Sequence, residues 1–257
     1  MTAISWFESN YMILNADKCH FMSSGTIEHL WLRVGNEQLW ESREQKLLGI
    51  TLDKDLTFSS HMNILCKKVG QKISALSRVA KLLPFHKRSL ILKTFIESQF
   101  SYCPLVWMFC GRKIDHKINY LHERALRLVY CDYSSTFEEL LTMDKSITFH
   151  QRNIHYVAIE MFKVKNGLSP SFITDMFQVM SGKTRTGDRY IRPNVNTVKK
   201  GENSLRYFGP IVWNEMLPND LKVHTSLDEF KINLKNWVPT NCPCKICKLY
   251  VKDIGFI

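Results

Sequence analysis

Cys242-Pro-Cys244-Lys-Ile-Cys247 places three thiols within six residues. Three thiolates at that spacing can grip Zn(II), but a structural zinc site takes four ligands. The nearest upstream histidine is His224, eighteen residues before Cys242. None follows the cluster, and Asp253 is a poor partner for three thiolates. Taken alone, the cluster is one ligand short; in a longer chain, sequence beyond Ile257 is one source of a fourth. The competing reading is reduced thiols near a chain end. The other five cysteines, Cys19, Cys66, Cys103, Cys110 and Cys131, sit among apolar residues and read as small buried hydrophobes.

Carboxylate chemistry is poorly served. Two-metal nucleotidyl transfer needs carboxylates that converge on divalent cations, and no Asp-Asp pair occurs. Asp53-Lys-Asp55 ends a strand-like run and reads as a turn. Tyr130-Cys-Asp132-Tyr133 resembles half of a polymerase Tyr-x-Asp-Asp box, but it closes an amphipathic helical stretch and reads as a helix C-terminus. Gly-rich phosphate loops and a Gly-x-Ser-x-Gly elbow are absent. His150 and His155 are five apart and share a helix face poorly. For the histidines in general a surface or capped place is the expectation.

Binding chemistry is better served. Between Leu56 and Ile96 stand eight basic residues and no acidic one: Lys67, Lys68, Lys72, Arg78, Lys81, Lys87, Arg88 and Lys93. The net charge is +11, and both the charge and its clustering point to a polyanion, nucleic acid first. A merely solvated basic face is the plainer alternative. Hydrophobic content of 45% and charged content of 23% are ordinary for a globular chain. No apolar run is long enough to span a bilayer. Met1 to Asn10 lacks the basic start and apolar core of a signal peptide. The expectation is an intracellular protein, nuclear or cytoplasmic, with reduced thiols and no membrane partner.

The elements that must position these residues change period along the chain. Residues 1–58 read as short strands: Met12 to Leu14, Lys18 to Met22, Ile27 to Val34, Glu37 to Trp40 and a buried run Leu47 to Leu52. Gly35-Asn36 suits a hairpin. From Ser59 the period is helical, with Met62, Leu65, Val69, Ile73, Leu76, Ala80 and Leu83 on one face and Pro84 as the stop. Further helices are expected from His86 to Phe100, Ile114 to Val129, Phe137 to Leu141, Phe149 to Lys165, Ser171 to Val179 and Leu205 to Met216. Another opens at Ser226, where Glu229 completes a capping-box pattern. The third of these helix faces adds Lys113, Lys117, Arg124 and Arg127. Residues 181–201 form a basic loop with a short extended piece near Tyr190-Ile191. The fold class is therefore α+β, mostly α, with short N-terminal antiparallel strands, a helical bundle at 59–133 and a helical C-terminal region at 134–257.

Several stretches, in order over nearly the whole chain, resemble the reverse transcriptases of LINE-type (non-LTR) retrotransposons. Leu14-Asn15-Ala-Asp-Lys18-Cys-His-Phe-Met22 is similar to the segment after that family's catalytic hairpin. Lys46-Leu-Leu48-Gly49-Ile-Thr-Leu-Asp53, with Leu56-Thr-Phe58 and His61, is similar to its primer-gripping strand and turn. Phe95 to Trp107, Leu121 to Arg127, Asn203 to Asn214, Leu217-Pro218, Phe230-Lys231 and Trp237 match stretches downstream.

The resemblance implies a palm remnant at 1–58, a thumb at 59–133 and a C-terminal region. It also implies a parent activity of RNA-directed DNA polymerisation, with magnesium needed only by a complete enzyme. The chain begins after the part that carries the metal-binding aspartates, so Lys18, whose family counterpart is thought to protonate departing pyrophosphate, has no reaction to assist. What survives is sequence-independent binding of an RNA–DNA hybrid or primer–template through Lys67, Lys68, Lys72, Arg78, Lys81, Lys87, Arg88, Arg124 and Arg127. A non-catalytic helical scaffold left by a decayed element is the alternative. A complete enzyme working with a separate palm-bearing chain ranks third.

Overall fold

The computed structural model describes residues 3–13, 15–24, 30–34, 37–180, 189–196, 201–240, 242–244 and 247. The expectations for Gly25, for the Gly35-Asn36 turn and for most of the basic loop fall outside them. The chain divides into two units, Met1–Met62 and Asn63–Ile257. The second contains both the expected bundle and the C-terminal helices. The architecture is mostly helical, with two short antiparallel strand pairs near the N-terminus.

The first unit opens with α1 (Ala3–Ser9), which the sequence reading did not anticipate. Among the described residues, the strands expected at Met12 to Leu14 and Lys18 to Met22 are not formed: Ala16–Lys18 is a 3-10 turn, and Phe21 makes a single bridge to Glu41. β1 (Trp31–Val34) and β2 (Glu37–Trp40) pair antiparallel with Trp31 opposite Trp40. The expected buried run at Leu47 to Leu52 is instead a second hairpin, β3 (Glu44–Leu47) and β4 (Ile50–Asp53). Leu48 and Gly49 have φ of 47° and 89°, the two left-handed residues of a type I′ turn. That turn splits the apolar run, and of its residues only Ile50 is buried while Leu47 and Leu48 are exposed. Asp53 ends β4 as the turn reading requires. Its carboxylate accepts from the Phe58 amide at 2.6 Å and the Thr57 amide at 3.0 Å. The His61 Nδ1 accepts from the Thr51 amide at 3.4 Å.

α2 (Ser59–Val79) carries the expected stripe, with Met62, Val69, Ile73, Leu76 and Ala80 buried. α3 (Phe85–Ile91) follows Pro84 and passes into a π-helical turn at Leu92–Ile96 and a 3-10 turn at Glu97–Ser101. After α4 (Pro104–Trp107), α5 (Arg112–Tyr130) buries Ile118, Leu121, Ala125 and Leu128. Cys131 caps it in the left-handed region, and Asp132 accepts from the Ser134 and Ser135 amides. The Asp-containing box is thus a helix end.

α6 (Phe137–Asp144) and α7 (Phe149–Lys165) each begin with a capping box, Thr136 with Glu139 and Thr148 with Gln151. The box expected at Ser226 is not formed. Ser226 stands at the N-cap of α11 without a side-chain hydrogen bond, and Glu229 lies 3.7 Å from His224 instead. Before it come α8 (Ser171–Thr174), shorter than expected, α9 (Leu205–Ile211), a π-helical turn at Val212–Met216 and α10 (Asn219–Lys222); α11 is Leu227–Leu234. Tyr190 bridges Val179, and the Asn214 side chain brackets Tyr190, donating to its carbonyl at 2.8 Å and accepting from its amide at 3.1 Å.

α7 is the axis of the C-terminal core. Ile154, Val157, Met161 and Val164 are buried as its stripe predicts, with Trp213 and Phe208 from the α9 region. Phe162 stacks on Phe230 of α11 at 4.4 Å. Gly209 allows the close approach of α9. A Cβ there would lie 2.6 Å from Met161 Sδ and 3.1 Å from Phe177 Cε1. Met161 is fully buried, so making way for the methyl means repacking its neighbours. Gly209→Ala is therefore expected to destabilise the protein by about 2 kcal/mol through overpacking. A lowered midpoint in urea unfolding is the check.

Candidate metal centre and basic groove

The structure brings a fourth side chain to the three cysteines, and it is His150. Thr148 and Gln151 fix the start of α7, which sets His150 in its first turn, on the same line as Ile154, Val157 and Met161. The helix therefore turns this histidine inward, and it is buried.

The chain after α11 then runs back along α7 in three contacts. Trp237 presents its carbonyl to His155 Nε2 at 2.8 Å, and the two rings stack at 5.5 Å. Pro239 accepts from the Gln151 side chain at 3.2 Å. Cys244 and Cys242 bring their sulfurs to 3.3 and 3.6 Å from His150 Nε2.

His150, Cys242, Cys244 and Cys247 form one cluster whose ligand atoms all lie within 4.8 Å of one another. The cysteines are free thiols. For zinc bonds of about 2.3 Å to sulfur and 2.05 Å to nitrogen, a tetrahedron has S···N edges of about 3.6 Å, close to the two observed separations. Cys244 is buried, and its sulfur also accepts from the Cys247 amide at 3.4 Å.

The electrostatics match a shared ligand set. The facing sulfurs of Cys242 and Cys247 hold the Cys244 thiol well below the ordinary thiol range, against burial and with help from His150. Cys242 first, and then Cys244, push the Cys247 thiol up, and burial adds to the shift. Burial disfavours the charged His150 ring, but Cys242 and Cys244 outweigh it and push its pKa up to about 10. The five remaining cysteines divide. Cys66 and Cys110 are buried, and burial pushes their thiols up to about 11 and about 12. Cys19 and Cys103 are half-buried and Cys131 is exposed, so the uniform buried reading fails for these three.

The basic residues fall into two groups. Lys67, Lys68, Arg78, Lys81 and Lys87 are exposed. Arg88 is not a free cation. Its guanidinium donates to the carbonyls of Val129 and Leu83, both at 2.8 Å, and of Ala80 at 3.2 Å, joining the ends of α2 and α5. Lys72 donates to the Phe95 carbonyl at 3.1 Å. Arg127 pairs with Glu123 at 2.6 Å.

α2 and α5 lie side by side, with Arg124 donating to Ser74 at 3.5 Å and Lys117 to Asn63 at 3.4 Å. Between them runs an open groove. One half is lined by Lys67, Arg78 and Arg124 over Gly70, Ser74 and Ala75. The other half shares Arg124 and adds Tyr120, Arg127 and Tyr133. Of the family-like positions, Asn15, Lys18, Leu48, Gly49 and His61 all lie in the first unit.

Comparison with family models, with curated proteins and with solved structures finds no match to this chain. Among the described residues no helix is long and apolar enough to cross a membrane.

Proposed function

We propose that this chain is a nucleic-acid-binding module of reverse-transcriptase descent, unable to polymerise by itself, whose C-terminal segment is fastened to α7 by a zinc ion. The observation that carries the binding half is the groove wall of Lys67, Arg78 and Arg124, which has no acidic lining residue along its α2 half. Cations spaced along one groove, Lys67 and Arg78 exposed and Arg124 half-buried, neutralise phosphates without reading sequence. The exposed pair Trp31 and Trp40 is consistent with strands that add to a larger sheet, as the family resemblance implies.

The zinc half rests on the His150 cluster. Three cysteine sulfurs and one imidazole, all within 4.8 Å of one another, make a sulfur-rich set of four ligands of the kind that selects Zn(II) over hard cations. With all four positions taken by protein, the ion would serve structure; it would join the chain end to the helix that organises the core.

Binding of a labelled RNA–DNA hybrid, titrated by fluorescence polarisation at several salt concentrations, tests the first half. Three phosphate contacts predict a log–log salt slope of about −2.7. Lys67→Glu with Arg78→Glu should weaken binding by at least about tenfold and flatten the slope. Unchanged affinity in that double variant would leave the helical-scaffold reading in its place.

A further inference from the structure

We infer that the groove between α2 and α5 takes a single-stranded nucleic acid, with Tyr120 and Tyr133 as the platforms on which its bases stack; this rests on the nucleic-acid reading above. The two halves of the groove meet at Arg124, which lines both. Along α2, Lys67 to Arg78 spans eleven residues, about 16 Å of helix. Between them the groove is lined by Gly70, Gln71, Ser74 and Ala75, three of the four small enough for a sugar–phosphate strand to lie close to the helix.

The second half is different in kind. Tyr120 is 61% exposed and Tyr133 67% exposed, on the same wall as Arg124 and Arg127. Glu123, the acidic residue of that half, is held by Arg127, so Lys67, Arg78 and Arg124 keep the groove positive.

Cations in line beside exposed aromatic rings are the two components of a single-strand track: charge follows the backbone and rings receive unpaired bases. A duplex would use only the first. Its base faces are buried in its own stack, so Tyr120 and Tyr133 would contribute nothing to binding it. A groove built for duplex alone gives no reason for two exposed tyrosines on its wall.

The test uses the full chain and two probes at equal salt: a labelled 20-nucleotide single strand, oligo(dT) or oligo(U), and a 20-base-pair duplex. The wild type should prefer the single strand. Tyr120→Ala with Tyr133→Ala should weaken single-strand binding by at least about tenfold and leave duplex binding within twofold, since each stacked base is worth roughly that factor or more. Tyr120→Trp with Tyr133→Trp should preserve single-strand binding. If the alanine pair changes neither probe, or both equally, the stacking inference is overturned while nucleic-acid binding stands. If Arg78→Glu with Arg124→Glu leaves both probes unchanged, the groove is not a nucleic-acid site and both readings fall together.

Discussion

Removing His150 is expected to cost the protein its metal and much of the stability of its C-terminal half. Purified wild type should hold about one zinc per chain by elemental analysis. Cobalt substitution should give the intense visible bands of a tetrahedral, thiolate-rich site. His150→Ala should lose the ion, whereas His150→Cys should keep it, because four thiolates also satisfy zinc.

Binding that favours the folded state by a thousandfold excess over Kd is worth about 4 kcal/mol. In a domain of about 200 residues that corresponds to about 10 °C in unfolding temperature. Chelation of the wild type should produce the same drop, and chelation of His150→Ala none. The contacts at Trp237 and Pro239 should loosen with it, since they lie on the path between α11 and the cysteines. A wild type that carries no metal and melts identically with and without chelator would sink the centre.

How much of this was legible beforehand depends on distance along the chain. Helix periods and their stops are local, so α2, α5 and α7 follow from apolar spacing, and α7 spans the residues its periodicity predicts. The three cysteines are local too. The fourth ligand lies 92 residues before Cys242, and only the folded chain joins them. Yet a signal was present. His150, Ile154, Val157 and Met161 fall three or four apart, so the histidine heads an apolar stripe and had to point into the core.

His122 sits in the same way between Ile118 and Ala125 and is also buried. A general expectation of surface histidines missed both. The strands were read less well, because turns at Leu48-Gly49 depend on left-handed backbone that an apolar run conceals. Arg88 shows the limit for charge patterns. It is one of eight basic residues in an acid-free stretch, but it stands beside carbonyls at the ends of α2 and α5 that need donors, and it is spent there.

The acid-sensitive element of the fold should be Glu97. This carboxylate is buried where the turn after α3 meets α5 and α7; Arg152 donates to it at 2.7 Å and His122 Nε2 stands 3.6 Å away. Burial alone would raise its pKa, but His122 and then Arg152 overcome that and lower it from 4.5 to about 2. The unfolded chain therefore takes up this proton first as pH falls. The stabilisation is complete above about pH 4.5 and is lost progressively as pH falls toward 2. From 4.5 to about 2, at 1.36 kcal/mol per tenfold, the loss is about 3 kcal/mol.

His122 adds a loss of the same sign that begins higher. Burial lowers its pKa from 6.5, so the unfolded state again binds the proton first. Glu97→Gln keeps an acceptor for Arg152 but removes the titration, so its urea midpoint should be flatter than the wild type's between pH 4.5 and 2. Arg152→Leu should cost about 3 kcal/mol at neutral pH, because it strands a buried carboxylate. In that variant burial gains weight against the single remaining partner, so the carboxyl pKa moves up and acid should cost it less stability than it costs the wild type. A wild-type midpoint that does not change from pH 4.5 to 2 would contradict the arrangement.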